Sequence, residues 1–216
     1  DRAFYLTTKF NETLLRSDFL DPFFELLGWD IKNVAGKRTG EREVLLEEPL
    51  KADAASHTKK PDYTFRLYGE RKFFVEAKKP CVDITEEDSP ARQVRRYGYT
   101  AGLHISVLSN FEDLYIYDTT CPVTSDDHLT KAVLKHYHYT EYEENLTEIL
   151  SLLGRESVYD GSFDAIWDSI GQNDARKDKI GIDGAFLVQI NDWRLLLGKE
   201  ILSEEPSLGI TELGDI

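Results

Sequence analysis

Residues 59–80 read KKPDYTFRLYGERKFFVEAKKP, and this stretch decides the fold. Two runs, 62–68 (DYTFRLY) and 72–78 (KFFVEAK), are rich in aromatic and apolar residues and flank Gly69-Glu70. Strand-like runs joined by a short glycine-containing turn predict a β-hairpin. Asp62 opens the first strand, after Pro61; Glu76 and Lys78 close the second. Strand residues two apart share a face, so Glu76 and Lys78 project together while Ala77 faces the other way. A hairpin turning at Gly69-Glu70 brings Asp62 to the same end. Two carboxylates and a lysine then converge on one sheet edge.

Outward from the hairpin, residues 8–28 place Phe10, Leu14, Leu15, Phe19, Leu20, Phe23, Phe24 and Leu27 at helical spacing. Gly28 is the expected stop, and Pro22, which lacks a backbone donor, is expected to kink or divide the helix. Residues 43–47 read as a further strand. Residues 89–100 (SPARQVRRYGYT) read as a helix with Ser89 as N-cap and Pro90 in its first turn. Strands are predicted at 103–109 and 114–118, and helices at 129–136, 143–153 and 184–202. The order helix, three strands, helix, two strands predicts an α/β fold, a mixed central sheet flanked by helices, with a helical C-terminal extension. A boundary is expected near 170, dividing 1–170 from a connector segment, 171–216. The broad apolar face of 184–202 (Phe186, Leu187, Ile190, Trp193, Leu196, Leu197, Ile201) requires a partner.

The net charge of −14 argues against a nucleic-acid partner, since phosphates call for Lys and Arg. Its distribution reverses that argument. Residues 1–110 hold 18 Lys/Arg and 18 Asp/Glu, whereas 111–216 hold 8 and 22. Within 59–96 there are 10 basic and 7 acidic residues, so the locally basic stretch coincides with the hairpin. Cys81 and Cys121 have no metal-ligand spacing and are expected as free thiols in a cytoplasmic protein. No signal peptide and no long apolar run appear, so no membrane span is expected. The chain contains no Met and does not begin with one, which reads as an internal fragment or a chain with residues missing.

Hard oxygen donors suit Mg²⁺, which takes one or two protein carboxylates and leaves positions for water and phosphate. Such an ion polarises a phosphodiester and lowers the pKa of bound water. Asp62 and Glu76 are therefore the expected metal ligands, for Mg²⁺ or for Mn²⁺ as its substitute. Lys78 is the expected activating base or charge stabiliser. Lys59, Lys60, Lys79, Arg92, Arg95 and Arg96 are candidate phosphate contacts. His136 and His138 share strand spacing but lack a third zinc ligand. His104, within an apolar run, is expected to be buried and hydrogen-bonded.

The hairpin resembles the PD-(D/E)XK nuclease superfamily, with Asp62, Glu76 and Lys78 at its three signature positions. Gln93 and Tyr97, in QVRRY, are similar to the Q-x-x-x-Y element of several of its branches. Asn11-Glu12, Arg16 and FLDPFFELLGWD resemble the opening helix of type IIG restriction enzymes and type I R subunits. That resemblance implies Glu12 as an added metal-binding acid, ahead of Glu25, and Gln93 as an orienting group. IDGAFLVQINDWRLLLGKEIL resembles the type IIG connector towards an adenine methyltransferase, which this chain does not reach. The implied activity is Mg²⁺-dependent hydrolysis of double-stranded DNA, in a polypeptide that elsewhere carries methyltransferase and target-recognition regions, with nuclease domains pairing on the duplex. A type I R subunit fragment is the nearest alternative. A nuclease fold that binds or docks without cutting is another, and an acidic DNA mimic a weaker one.

Overall fold

A computed structural model describes residues 2–50 and 60–170, together with four helical positions further on, Trp193, Leu196, Leu197 and Glu200. The rest of the predicted 184–202 helix lies outside the described residues. The chain divides into two compact units, Asp1–Gly171 and Gln172–Ile216. The first unit holds the central sheet and the helices around it.

A mixed six-stranded sheet runs in sequence order: β1 (Val44–Leu46), β2 (Tyr63–Leu67), β3 (Glu70–Ala77), β4 (Ile105–Ser109), β5 (Asp113–Asp118) and β6 (Val133–His138). All neighbours are antiparallel except β3 and β4, which are parallel. A parallel pair needs a crossover, and here the connection carries helix α4 (Asp88–Ala101).

The β2–β3 turn is Tyr68-Gly69, one residue earlier than expected, because Leu67 pairs with Glu70. Both turn residues have positive φ, 49° and 82°, which suits a two-residue hairpin turn that follows the strand twist.

The first predicted helix is three pieces. A short α1 (Arg2–Tyr5) stands apart; α2 (Glu12–Leu15) begins at Asn11, whose side chain accepts the Leu14 N–H at 3.0 Å. A π-helical turn, Arg16–Leu20, leads into α3 (Asp21–Leu26). The widened turn falls just before Pro22, where the missing donor interrupts the ladder. Gly28, at φ 93°, ends the run as expected.

Helix α4 starts one residue before its expected cap. Glu87 takes the extended N-cap backbone, and Ser89 lies in the first turn. Asp88 there suits the positive helix end. The larger correction is at 129–136, predicted helical. This region ends in β6, which pairs with β5 through Tyr115↔His136 and Leu114↔Tyr137. Pairing to an open sheet edge outweighs local propensity. Helices α5 (Leu146–Leu153), α6 (Arg155–Tyr159) and α7 (Ser162–Ile170) complete the unit; α5 is shorter than expected, and α6 and α7 were not foreseen.

Alternation along β3 sorts the layers. Phe73 stacks on Phe65 at 4.4 Å and lies 5.8 Å from Phe163 and 5.9 Å from Trp29, forming a buried aromatic layer with Phe24. Phe74 turns the other way, towards Tyr97 of α4 and Leu103. Glu76, two residues on, shares that face. Gly98 lets α4 come close to the sheet: a Cβ there would stand 2.6 Å from Thr119 Cγ2, and nearer still to Ser106 Oγ.

Candidate active site

The register builds the site. Tyr63 pairs with Val75 and Thr64 with Phe74, so one step beyond, Asp62 stands opposite Glu76. Leu46 pairs with Tyr63, which puts Glu47 on the other side of Asp62; the Glu47 N–H donates to the Asp62 carbonyl at 3.1 Å. Lys78 lies just past the end of β3, and its N–H donates to the Ser109 carbonyl at 3.0 Å. Glu47, Asp62 and Glu76 thus occupy adjacent strand ends.

Asp62 Oδ2 accepts the Ala77 N–H at 2.7 Å, and Oδ1 lies 3.4 Å from Arg16 Nη1. Glu76 is 4% exposed. Its Oε1 accepts from Lys78 Nζ and from Gln93 Nε2, both at 2.6 Å, while Oε2 is buried with no described partner. Gln93 Nε2 also lies 2.9 Å from the Tyr97 hydroxyl. α4 therefore delivers Gln93 and Tyr97 to the carboxylate end of the hairpin, as their four-residue spacing on one helix face permits.

Electrostatics set this cluster apart. Burial, reinforced by the Asp62 charge, pushes Glu76 up to about 7 despite the Lys78 ammonium beside it. Burial also raises Asp62, against the Ala77 N–H and the charges of Arg16 and Lys78. Burial alone would lower Lys78, but Glu76, Glu12 and Asp62 together hold it above its ordinary value, so it is an ammonium. The half-buried Glu12 is near enough to push up both carboxyls. Glu25, its rival, pairs instead with Lys32 at 2.8 Å.

Among the described residues, no three His, Cys, Asp or Glu side chains are already gathered as a metal cluster. The donor set nevertheless fits one hard cation. Mg²⁺ needs few protein carboxylates, Glu76 Oε2 is a buried oxygen without a hydrogen-bond partner among the described residues, and a buried acceptor is ordinarily satisfied.

The basic candidates separate. Arg92, Gln93, Arg96, Ser89 and Tyr97 line an open pocket of about 230 Å³ beside Glu76. Arg96 and Lys60 are exposed and Lys79 partly so; Lys59 lies outside the described residues. Arg92 bonds the Asp127 carbonyl at 2.9 Å. Arg95 does not reach the surface. It is 1% exposed and pairs with buried Asp127 at 2.8 Å, a clasp that no phosphate backbone could reach. His104 is 40% exposed and 3.4 Å from Asp168, not buried as expected. His136 pairs with Asp113 at 2.7 Å and stacks on Tyr115. Sequence reading gave Glu47 no part in the site and left Arg16 without a role. Glu47 was signalled only by its proximity to a predicted strand end, and Arg16 only by its place in the opening-helix motif, which assigned it no role.

Over all 216 residues the chain is 54% identical to the type II restriction enzyme and methyltransferase RM.Eco57I of Escherichia coli. It spans 21% of that protein's length. No family model matches the chain. No solved structure matches it. Among the described residues no helix is long and apolar enough to cross a membrane.

Proposed function

We propose that this chain is the endonuclease part of a restriction–modification enzyme, of the PD-(D/E)XK kind, hydrolysing phosphodiester bonds in double-stranded DNA with Mg²⁺. The observation that carries the reading is the meeting of Asp62, Glu76 and Lys78 at one sheet end, with one buried carboxylate oxygen unpartnered among the described residues. Similarity to a restriction enzyme and methyltransferase along the whole chain favours a type IIG context over a type I subunit. Methyltransferase and target-recognition regions would then belong to the same polypeptide, acting on a shared duplex. Pairing of two nuclease parts would cut both strands.

Asp62 and Glu76 would hold the ion, with Glu12 as an additional acid. When bound, Mg²⁺ polarises the scissile phosphate and acidifies a water. The Ala77 N–H fixes Asp62, and Gln93 fixes Glu76 through Oε1, so that the Glu76 carboxylate would be held in place for a cation. Lys78, held as an ammonium, suits stabilisation of developing negative charge better than proton abstraction. Lys60, Lys79, Arg92 and Arg96 would contact backbone phosphates, which position a duplex without reading its sequence.

The test is nicking of supercoiled plasmid with Mg²⁺ or Mn²⁺. Nicking should vanish with EDTA and in Asp62→Ala, and Lys78→Ala should slow it by about 10²–10³. A Lys78→Ala protein that nicks at the parent rate would remove this mechanism. No nicking, together with no Mn²⁺ binding by calorimetry, would instead favour a docking module.

A further inference from the structure

Arg16 is placed by the π-helical turn between α2 and α3. A single nitrogen, Nη1, lies 3.4 Å from Asp62 Oδ1 and 3.4 Å from Glu47 Oε1. Both contacts are at the long edge of a hydrogen bond, so neither acid holds the guanidinium firmly. It is kept between them by the Tyr63 ring, whose centroid is 5.0 Å from Arg16 Cζ. The two acids differ in their surroundings. The Asp62 side chain is 18% exposed and joined to the hairpin, whereas the Glu47 side chain is 61% exposed. Glu47 also keeps a left-handed backbone, φ 51°, unusual for a residue with a side chain. Its N–H bond to the Asp62 carbonyl secures it there. A cation arriving at Asp62 would repel a guanidinium at that distance. Glu47 offers the displaced charge an acceptor without any movement of the helix.

We propose that Arg16 is a positioning residue that occupies Asp62 in place of the divalent cation and passes to Glu47 when the cation enters, so that Glu47, outside the ligand set, tunes metal affinity. This rests on the metal-dependent reading above. It makes metal entry an exchange of one positive charge for another, in which the neutralising partner is retained at the rim.

Calorimetric titration of Mn²⁺ into the whole chain tests the exchange, using the parent, Arg16→Gln, Glu47→Gln, the double variant and Asp62→Ala, with thermal unfolding as the check on folding. Removing the competing cation should tighten Mn²⁺ binding by roughly tenfold. Glu47→Gln should weaken it several-fold in the parent and hardly at all in the Arg16→Gln background, since no guanidinium is left to receive. Equal weakening in both backgrounds would mean that Glu47 acts only as a distant charge, and would overturn the exchange. So would Arg16→Gln binding that is unchanged or weaker. Should Arg16→Gln not fold, Arg16→Met keeps the stem against Tyr63 and supplies the same comparison. Mn²⁺ binding that Asp62→Ala abolishes but Arg16→Gln leaves unchanged sinks this inference alone. Absence of binding in the parent removes the metal-dependent reading and this inference with it.

Discussion

Glu43 and Glu76 are equally buried, each 4% exposed, and their surroundings have opposite effects. Glu43 accepts from Arg155 Nη2 at 2.9 Å, Lys37 Nζ at 2.6 Å, the Tyr159 hydroxyl at 2.8 Å and the Asp30 N–H at 3.3 Å. Burial alone would raise its pKa, but these donors outweigh burial and hold it down at about 2. Among the described residues Glu76 has two donors on one oxygen and none on the other, with the acids Asp62 and Glu12 nearby, and is pushed up to about 7. The first is a fully satisfied clasp between the 30–43 segment and α6. The second is a carboxylate whose partners are incomplete. Burial of an acid therefore indicates no role by itself; the tally of its donors distinguishes the two carboxylates.

The sharpest way to break this contrast is to delete the clasp. Glu43→Ala would strand the Arg155 and Lys37 charges, the latter only 9% exposed. Breaking a buried pair by removing one partner costs about 3–5 kcal/mol. Urea denaturation should show a loss of that size, without prior damage to Mn²⁺ binding at the opposite network. A loss near zero would mean that the clasp is ornamental.

Acid titration reads both groups at once, because their slopes have opposite signs. The Glu43 pKa falls on folding from 4.5 to about 2. Its contribution is fully present above pH 4.5 and disappears as pH falls through about 2. At 1.36 kcal/mol per pKa unit this is about 3 kcal/mol. The parent should lose that stability in acid, and Glu43→Gln should lack this part of the slope. Glu76, raised from 4.5 to about 7, gives no penalty below pH 4.5 and an increasing one up to pH 7. Glu76→Gln should accordingly be more stable than the parent at pH 8 by about 1–3 kcal/mol, while losing nicking. A less stable Glu76→Gln would place Glu76 with Glu43 as a structural group.

The same contrast explains what the sequence made legible. The hairpin, its alternation and the end-on grouping of Asp62, Glu76 and Lys78 follow from local pattern, because register and period act over a few residues. Glu43 was invisible as a clasp because Arg155 lies 112 residues away. Arg95 could not be told from Arg92 and Arg96 for a related reason: which side of α4 faces Asp127 depends on where the 121–131 loop runs. β6 was misread because its identity depends on the free edge of β5, not on its own composition. Arg16 needed the π-turn, which Pro22 hints at but does not specify. Long-range pairs and edge pairing decided the missed elements.

The smallest effect tests whether Glu12 belongs to the incomplete site. Asn11 caps α2 by accepting the Leu14 N–H, and Glu12 is the first helical residue behind it. Replacing an N-cap Asn by Ala costs about 1 kcal/mol. Fraying should remain in that first turn, because Leu15 is fully buried and anchors the helix beyond it. Glu12 would then move away from Asp62 and Glu76 and relieve part of their repulsion. In Asn11→Ala, carboxyl carbon NMR titration should put Glu76 below about 7 while Glu43 stays near about 2. A Glu76 titration unmoved by the loss of the cap would take Glu12 out of the site. Desolvation, with the Asp62 charge, would then account for the raised carboxyl, since those influences do not pass through α2.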